Sequence, residues 1–243
     1  MADTGTDPGW MREWKFAHRG LHSSGIPENS PAAFDAAIER GMGIECDIQR
    51  SSDGRAVVFH DWELDRLTRE SGPVAARTSI QLAAIGLSGG DDTIPTLRKT
   101  LDQVAGRVPL LIEIKSKSDM KVSPLCLPVR HALEGYRGLH AIMSFDPRIP
   151  RWFAKHSPLT LRGLVVTEEH GKSLAARIKR ELAFRHAAPQ FLAYDIRDLP
   201  SPFAAAKRNA GYPVVTWTVR TAEHVRRARD HADAPIAEGD GAA

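Results

Sequence analysis

Short apolar runs alternate with helical patterns along most of the 243-residue chain, and this alternation restricts the possible folds more than any other feature. Most of the runs are too short for helices and are rich in β-branched or aromatic residues, which is typical of buried strands. Eight such runs occur, at residues 16–20, 43–49, 109–115, 140–145, 161–167, 191–196, 213–219 and 234–239. Because strands that alternate with helices pair in parallel, the sequence predicts an α/β fold with a parallel sheet.

The segments between these runs carry signals for the ends of helices. "SPAAFDAAIERG" places Ser30 at the N-cap, Pro31 at the first helical position and Gly41 after the last turn. "SPFAAAKRNAG" repeats the Ser-Pro start, "DPRIPRWFAKH" begins with Asp-Pro, and Thr221 precedes "AEHVRRARD" as a further cap. These signals predict a helix after most of the strands.

Polar residues recur at the carboxyl ends of the predicted strands, and their distribution distinguishes a closed barrel from an open sheet. They are His18 and Arg19, Glu45 and Asp47, Glu113 and Lys115, Asp195, and Trp217. In a barrel the ends of all eight strands meet at one mouth, whereas an open doubly wound sheet binds its ligand at one switch point. Because the polar residues are spread over many strand ends, we expect a (β/α)8 TIM barrel.

One segment interrupts the alternation. Residues 61–93 separate the second strand from the helix in "IPTLRKTLDQVAG", and they have turn-rich ends and one short apolar run, "IQLAAIGL" at 80–87. We expect this segment to be a small insertion over the barrel mouth. Residues 1–243 are therefore predicted to form a single domain.

Composition and charge exclude several classes of protein. The formal charge is +3, and the two most basic stretches, at 176–186 and 225–231, have apolar residues at helical spacing. Both are interpreted as solvated helix faces, so no nucleic-acid partner is expected. Only two cysteines occur, Cys46 and Cys126, and Cys46 is expected to be buried and reduced.

The start of the chain and its longest apolar runs bear on localisation. "MADTGTDPGWMREW" lacks the apolar core of a signal peptide, and no apolar run reaches the ~18–20 residues of a membrane span. We therefore expect a cytoplasmic protein with no stable membrane insertion. The sequence carries no signal for its oligomeric state.

The stretch "IECDIQ" at 44–49 places two acids in a run that should be buried. Period-2 alternation puts Glu45 and Asp47 on one face of the strand, and the third strand adds Glu113. Three converging carboxylates would repel one another, whereas a hard divalent cation, Mg²⁺ or Ca²⁺, would remove that cost. Each acid alone would more often be a surface residue in an ion pair, so the hypothesis depends on their combination.

Basic and titratable side chains are expected beside these acids. Arg19 and Lys115 at the same mouth would form an anion site that suits a phosphate. His18 and His60 would serve as general acid and general base near neutral pH. Singly, each histidine would more often be structural.

A hairpin signal predicts where His60 lies. Asp53-Gly54 resembles a two-residue turn between two β-like runs. That register places His60 directly opposite Asp47, with Cβ atoms ~4.5–5.5 Å apart, and puts Phe59 on the opposite face with Cys46.

An ordered set of motifs carries a family resemblance. "HRG", "PENS", "ECD", "DG", "VVFHD", "LDRLT", "IPTL", "IEIK" and "WTV" follow one another between residues 16 and 219. In this order they resemble the glycerophosphodiester phosphodiesterase family. The resemblance implies a (β/α)8 barrel with a small insertion after the second strand.

The resemblance also implies an activity and roles for individual residues. It assigns divalent-metal ligation to Glu45, Asp47 and Glu113, acid/base catalysis to His18 and His60, and phosphate binding to Arg19 and Lys115. Glu28 and Asn29, in "PENS", match a motif that shapes the rim of the site. Such enzymes hydrolyse glycerophosphodiesters to sn-glycerol 3-phosphate and an alcohol. The neighbouring glycerol hydroxyl is thought to attack phosphorus, and water then opens the cyclic phosphate.

The sequence does not identify the alcohol that leaves, because it departs from the family pattern at two places and the role of one tryptophan has two interpretations. The first departure is that the insertion is short. The second is that the last strand ends "DAPIAEGD", where family members commonly have Thr-Asp and a proline. Either Glu238 replaces that aspartate or the wall of the pocket differs there. Trp217 at the end of the seventh strand would line the pocket or fill the upper layer of the barrel.

Other functions therefore stay open beside the leading hypothesis. One is a lysophospholipid or sugar-phosphodiester phosphodiesterase on the same barrel, and a long apolar groove would favour the lipid. The other is a non-catalytic phosphate-binding protein, which the presence of both histidines and all three acids disfavours.

Overall fold

A computed structural model describes residues 7–169, 171 and 173–243, and in it the chain forms a closed barrel of eight parallel strands. The barrel strands are β1 (Phe16–Ala17), β2 (Gly43–Arg50), β4 (Leu110–Ile114), β5 (His140–Ser144), β6 (Leu161–Val166), β7 (Phe191–Asp195), β8 (Val214–Val219) and β9 (Ala234–Ala237). β1 pairs with both β2 and β9, and this double pairing closes the sheet. The predicted TIM barrel is confirmed.

Eight helices surround the barrel in the described part of the chain. They are α1 (Pro31–Glu39), α2 (Ser79–Leu82), α3 (Leu97–Val104), α4 (Ser123–Leu133), α5 (Arg148–His156), α6 (Leu174–Ala187), α7 (Pro202–Asn209) and α8 (Ala222–His231). The predicted caps Ser30, Ser201 and Thr221 each accept a backbone N–H of the first turn. At α5 the N-cap is Pro147, and Asp146 accepts the N–H of Arg148 at 3.0 Å from just outside the helix.

Apolar side chains form one layer outside the strands and another inside the barrel. Both cysteines are buried in the outer layer. The inner layer includes Met11, from a 3-10 helix at Pro8–Glu13 that precedes β1. This helix was not predicted, because six residues with one buried side chain carry no periodic signal.

The register predicted for the hairpin after β2 is wrong by one residue. A short strand β3 (Ala56–Val58) pairs antiparallel with β2, and Gln49 lies opposite Val57. The N–H of Phe59 donates to the carbonyl of Asp47 at 3.0 Å, so Phe59 and not His60 lies opposite Asp47. Phe59 consequently does not share the face of Cys46, as had been expected.

Hydrogen bonds of Ser51 and Asp53 hold a turn that is one residue longer than predicted. The Ser51 hydroxyl donates to Asp53 at 2.5 Å and accepts the N–H of Arg55 at 2.9 Å, while Asp53 also accepts two bonds from Ser79 at 2.8 Å. These bonds hold a three-residue loop at 52–54 that ends on Gly54 at φ +77°. A three-residue loop with its last residue in the left-handed region is a common hairpin alternative to the two-residue turn.

Residues 61–93 lie between β3 and α3 and contain a 3-10 turn at Val74–Ala76 and the helix α2. Their apolar side chains pack with those of β3 in a small separate cluster. The run at 80–87 belongs to this packing, since Leu82 and Leu87 are buried. Leu82 and Leu87 are therefore not available to a lipid chain, whereas Ile80 of the same run is exposed.

Candidate active site

Three carboxylates converge inside the barrel mouth. Glu45 and Asp47 project from β2 into the barrel, and Glu113 lies on the neighbouring strand in register with Asp47. All three are buried, and each offers a carboxylate oxygen within 4.8 Å of the others. Cys46, between the two acids of β2, packs on the outer side, so the alternation predicted for this strand is confirmed.

Two cations contact this carboxylate cluster. The Lys115 ammonium lies 2.9 Å from Asp47 Oδ1 and 2.7 Å from Glu113 Oε1. The backbone N–H of Arg19 donates to Glu45 Oε2 at 3.0 Å, and its guanidinium Nε lies 3.3 Å from Asp47 Oδ2. Arg19 has a positive φ of 56°, which turns the chain sharply where β1 ends.

The three acids differ in pKa because their neighbours differ. Burial, followed by the charges of Asp47 and Glu113, raises the pKa of Glu45 well above its usual value. Burial also raises the pKa of Glu113, although Lys115 opposes the shift. Although burial acts to raise the pKa of Asp47, the charges of Lys115 and Arg19 hold it well below its usual range. The cluster thus contains more buried negative charge than its own cations neutralise.

This donor set fits a hard divalent cation. The three side chains offer only carboxylate oxygens, the ligands that Mg²⁺ and Ca²⁺ prefer. A bound cation would also remove the repulsion that raises the pKa of Glu45.

His18 is held by the last strand of the barrel. Its Nδ1 is hydrogen-bonded to Glu238, which follows β9, and His22 Nε2 lies 3.4 Å from the same carboxylate oxygen. The other oxygen of Glu238 accepts a bond from Arg220 Nε at 2.5 Å. Glu238 therefore anchors His18 from a position where the sequence departs from the usual family pattern.

His60 has an equivalent anchor in the neighbouring residue. Its Nδ1 is 2.6 Å from Asp61 Oδ1, and Arg66 donates to the same carboxylate at 2.5 Å and 3.0 Å. Arg66 also donates to Glu28 at 2.8 Å and 3.0 Å, and Arg19 donates to Glu28 at 2.7 Å. Through Asp61, Arg66 and Glu28, a continuous chain of hydrogen bonds thus connects His60 to Arg19, the candidate for phosphate binding.

The remaining predicted residues line the same mouth or support it. Asn29 donates to Asp47 Oδ2 at 2.9 Å and accepts the N–H of Asp47 at 3.2 Å. Trp217 donates its indole N–H to the carbonyl of Ala193 at 3.0 Å, and its ring meets Phe145 edge-on with centroids 5.5 Å apart. These two rings form an apolar wall in the lining of the same mouth.

One cavity unites these groups. Its volume is about 330 Å³, and its lining includes His18, Arg19, Glu45, Asp47, His60, Glu113, Lys115 and Trp217. Every predicted catalytic, metal and substrate residue except Glu28 lines it, and Glu28 contacts it through Arg19.

The family follows from comparison with known proteins. Residues 18–236 match the model of the glycerophosphoryl diester phosphodiesterase family. The chain belongs to this family. The resemblance inferred from the ordered motifs is thereby confirmed.

Individual relatives match over part of the chain. A glycerophosphodiester phosphodiesterase of Caldanaerobacter subterraneus is 36% identical over 121 residues, which are 47% of this chain and 49% of the relative. One of Bacillus altitudinis is 38% identical over 112 residues, 43% of this chain and 45% of the relative. The chain thus spans about half the length of the curated relatives it matches.

Solved structures are similar over nearly the whole chain. An Oleispira antarctica phosphodiesterase in complex with the product sn-glycerol-3-phosphate has a TM-score of 0.80 at 22% identity, with 92% of both chains covered. A glycerophosphodiester phosphodiesterase of Thermotoga maritima has a TM-score of 0.74 at 26% identity, covering 91% of this chain and 92% of that one. This family member and the Oleispira antarctica enzyme share the barrel fold described above.

Sequence reasoning missed the side chains that orient the two histidines. Asp61 lies in the motif "VVFHD" and Arg66 in "LDRLT", but neither was assigned a role, and His22 and Arg220 lie outside the motifs. A carboxylate beside a histidine in a predicted strand end was an available signal for Asp61. The contacts of Arg220 and His22 depend on barrel closure and had no local signal.

Proposed function

We propose that this chain hydrolyses glycerophosphodiesters to sn-glycerol 3-phosphate and an alcohol. One observation carries the proposal: two histidines, each held at Nδ1 by a carboxylate, line the same cavity as three buried carboxylates and two cations. Membership of the family supports the same reaction. The substrate in this proposal is thus a small-molecule phosphodiester.

Glu45, Asp47 and Glu113 would hold the divalent cation, either Mg²⁺ or Ca²⁺. When bound, the cation neutralises charge on the phosphoryl oxygens. Lys115 contacts two of these acids directly and so keeps the cluster partly neutral. Asn29 fixes the Asp47 carboxylate through its side-chain amide.

Arg19 and Lys115 bind the phosphate of the substrate in this proposal. Arg19 Nε is buried and lacks a well-aligned hydrogen-bond partner among the described residues. Its guanidinium donates to Glu28 at 2.7 Å, and Arg19 lines the cavity, so this contact fixes the planar group at the proposed phosphate site. A fixed guanidinium favours a phosphate because its N–H groups match the phosphate oxygens.

His18 and His60 move the protons. With Nδ1 held by Glu238 or Asp61, each ring exchanges a proton with substrate through Nε2. One histidine accepts the proton of the glycerol hydroxyl as its oxygen bonds to phosphorus, and the other protonates the departing alcohol. Water then opens the cyclic phosphate with the two roles exchanged, which returns both rings to their starting states.

The apolar wall formed by Phe145 and Trp217 receives the leaving group. A second cavity of about 490 Å³ shares Phe145 with the first and continues along Val165 and Val166 to α6. This continuation favours a lysophospholipid as the second candidate substrate, because it offers an acyl chain apolar surface that a short alcohol does not need.

The direct test is hydrolysis of glycerophosphocholine before and after metal stripping with EDTA, followed by restoration with Mg²⁺ or Ca²⁺. Loss of turnover on stripping and recovery with one of the ions is expected. Full activity after rigorous stripping would contradict the metal assignment. A panel of glycerophosphodiesters and lysophospholipids with the same protein then separates the two substrate classes.

A further inference from the structure

Helix α6 presents large apolar side chains to solvent. Leu174 is 71% exposed, Ile178 52% and Leu182 60%. Successive members are four residues apart, so the three lie within an arc of about 80° on one face of the helix. Single exposed aliphatic residues are ordinary, but a stripe of three on one helix face is not.

The opposite face of α6 already supplies the packing that the barrel needs. Phe184 and Ala187 are buried there, and the Lys207 ammonium lies 3.9 Å from the centroid of the Phe184 ring. Arg180 forms an ion pair with Glu168 at 3.4 Å on the same side. The stripe of Leu174, Ile178 and Leu182 therefore lies outside the face by which α6 packs on the barrel.

Basic residues flank the apolar stripe. Arg177 and Lys179 are exposed on its two sides, and neither forms an ion pair with any described residue. Arg185 is exposed too, but it pairs with Glu181 at 3.0 Å and adds no net charge. This basic stretch was predicted to be a solvated helix face, and its large aliphatic side chains Ile178 and Leu182 are exposed as well.

We infer that this face of α6 docks on the surface of an anionic lipid bilayer. An apolar stripe between basic residues is the pattern of helices that lie in the membrane interface, where the aliphatic side chains enter the acyl boundary and the basic groups meet lipid phosphates. No helix in the described part of the chain is long and apolar enough to cross a bilayer, so the contact would be peripheral.

A second copy of the chain fits this face less well. A two-fold contact brings the same patch of both copies together, so it would place Arg177 and Lys179 of both copies along one interface, where like charges are unfavourable. Three aliphatic side chains also fall far short of the roughly 800 Å² per partner in a stable dimer. An anionic lipid surface would attract the two basic residues, and it does not require the large contact area of a stable dimer.

The position of α6 relates this contact to the catalytic cavity. α6 follows the carboxyl end of β6, so Leu174 in its first turn lies at the mouth end of the barrel. The cavity beside α6 reaches Phe145 in the wall of the active site. Docking through α6 would thus bring the bilayer near the rim of the mouth. The binding itself is independent of the proposed hydrolysis.

Vesicle flotation tests the inference directly. The full chain should float with phosphatidylcholine vesicles that contain phosphatidylglycerol, and not with phosphatidylcholine alone. The combined variant Leu174→Ser, Ile178→Ser, Leu182→Ser should lower the partition coefficient by at least about tenfold. The combined variant Arg177→Glu, Lys179→Glu should weaken binding to a similar extent and remove its dependence on salt.

Matched controls use exposed residues elsewhere. Leu159→Ser removes an aliphatic side chain that is 75% exposed outside α6, and Arg226→Glu with Arg229→Glu reverses two charges on the other basic helix, α8. Both controls should bind as the unchanged protein does. Absence of flotation with the anionic vesicles, or unchanged flotation of the triple serine variant, would overturn the inference. Sedimentation that shows a dimer abolished by the serine variant would assign the face to a second copy instead.

Discussion

Glu238 and His18, although 220 residues apart in the chain, are hydrogen-bonded where the first and last strands of the barrel meet. The carboxylate accepts from Nδ1 of the imidazole, and Arg220 holds its other oxygen. The position of the proposed acid/base group therefore depends on barrel closure and on a residue of the divergent last strand.

The first prediction follows from this pair. Burial lowers the pKa of His18, and the bond to Glu238 opposes that shift. Glu238→Gln should therefore move the titration of His18 to lower pH and reduce kcat by about tenfold, with little change in KM. Histidine ¹⁵N spectra report the titration and the tautomer, and pH–rate profiles report the effect on turnover.

The control for this pair is Glu223→Gln, which neutralises an exposed acid of α8 outside the cavity. It should leave the His18 titration and kcat unchanged. A Glu238→Gln protein with the unaltered His18 tautomer, titration and kcat would show that Glu238 has only a structural role.

The second prediction concerns His60 and its anchor. His60→Ala should lower kcat by roughly 10²–10⁴-fold, the usual contribution of one acid/base group. Asp61→Asn should have a smaller effect in the same direction, because it weakens the bond to Nδ1 but leaves the imidazole in place. Both variants should bind metal with near-normal affinity, as isothermal titration calorimetry would measure. Normal turnover of the His60 variant would contradict the acid/base assignment.

The third prediction separates metal binding from catalysis. Glu45 is buried beside two other acids, and its raised pKa reflects that cost. Glu45→Gln keeps the shape and the oxygen that accepts the Arg19 N–H, so the metal-free protein should be as stable as the unchanged one or more stable. Added Mg²⁺ or Ca²⁺ should raise the Tm of the unchanged protein and not that of the variant.

Thermal denaturation with and without each ion measures this difference without any assay of turnover. Asp92→Asn, which alters an acid outside the cavity, is the control and should keep the full metal-dependent shift. An equal rise in Tm for the Glu45 variant would place the ion elsewhere.

The barrel and the acid cluster were predictable because they follow from residue patterns within single strands and from the general rule that such strands pair in parallel. Alternation within β2 fixes the faces of Glu45 and Asp47, and parallel pairing brings Glu113 beside them. The anchor Glu238 was not predictable as a partner of His18, because that contact requires the closed barrel and the side-chain conformations at its seam.

The hairpin shows a different kind of limit. Asp53-Gly54 has the composition of a two-residue turn, yet the side chain of Asp53 holds a three-residue loop by bonding Ser51 and, in the insertion, Ser79. The Ser79 contact is 26 residues away in sequence, so turn composition alone could not reveal it. The register error moved His60 by one position, but the bend after β3 still brings its side chain to the cavity.

The last prediction tests that loop through the pH dependence of stability. Bonds from Ser51 and Ser79 lower the pKa of Asp53 to about 2 from its ordinary 3.8. A carboxylate whose pKa is lower in the folded state contributes stability above its unfolded pKa, and that contribution is lost as the pH falls through the folded value. Asp53→Asn should therefore reduce the free energy of unfolding near neutral pH, and the difference from the unchanged protein should shrink as pH falls from about 4 toward 2.

Urea denaturation across this pH range measures the difference in the free energy of unfolding. The control is Asp102→Asn, which alters an exposed acid of α3. A difference that does not depend on pH would assign the effect to the geometry of the loop and not to the charge of Asp53.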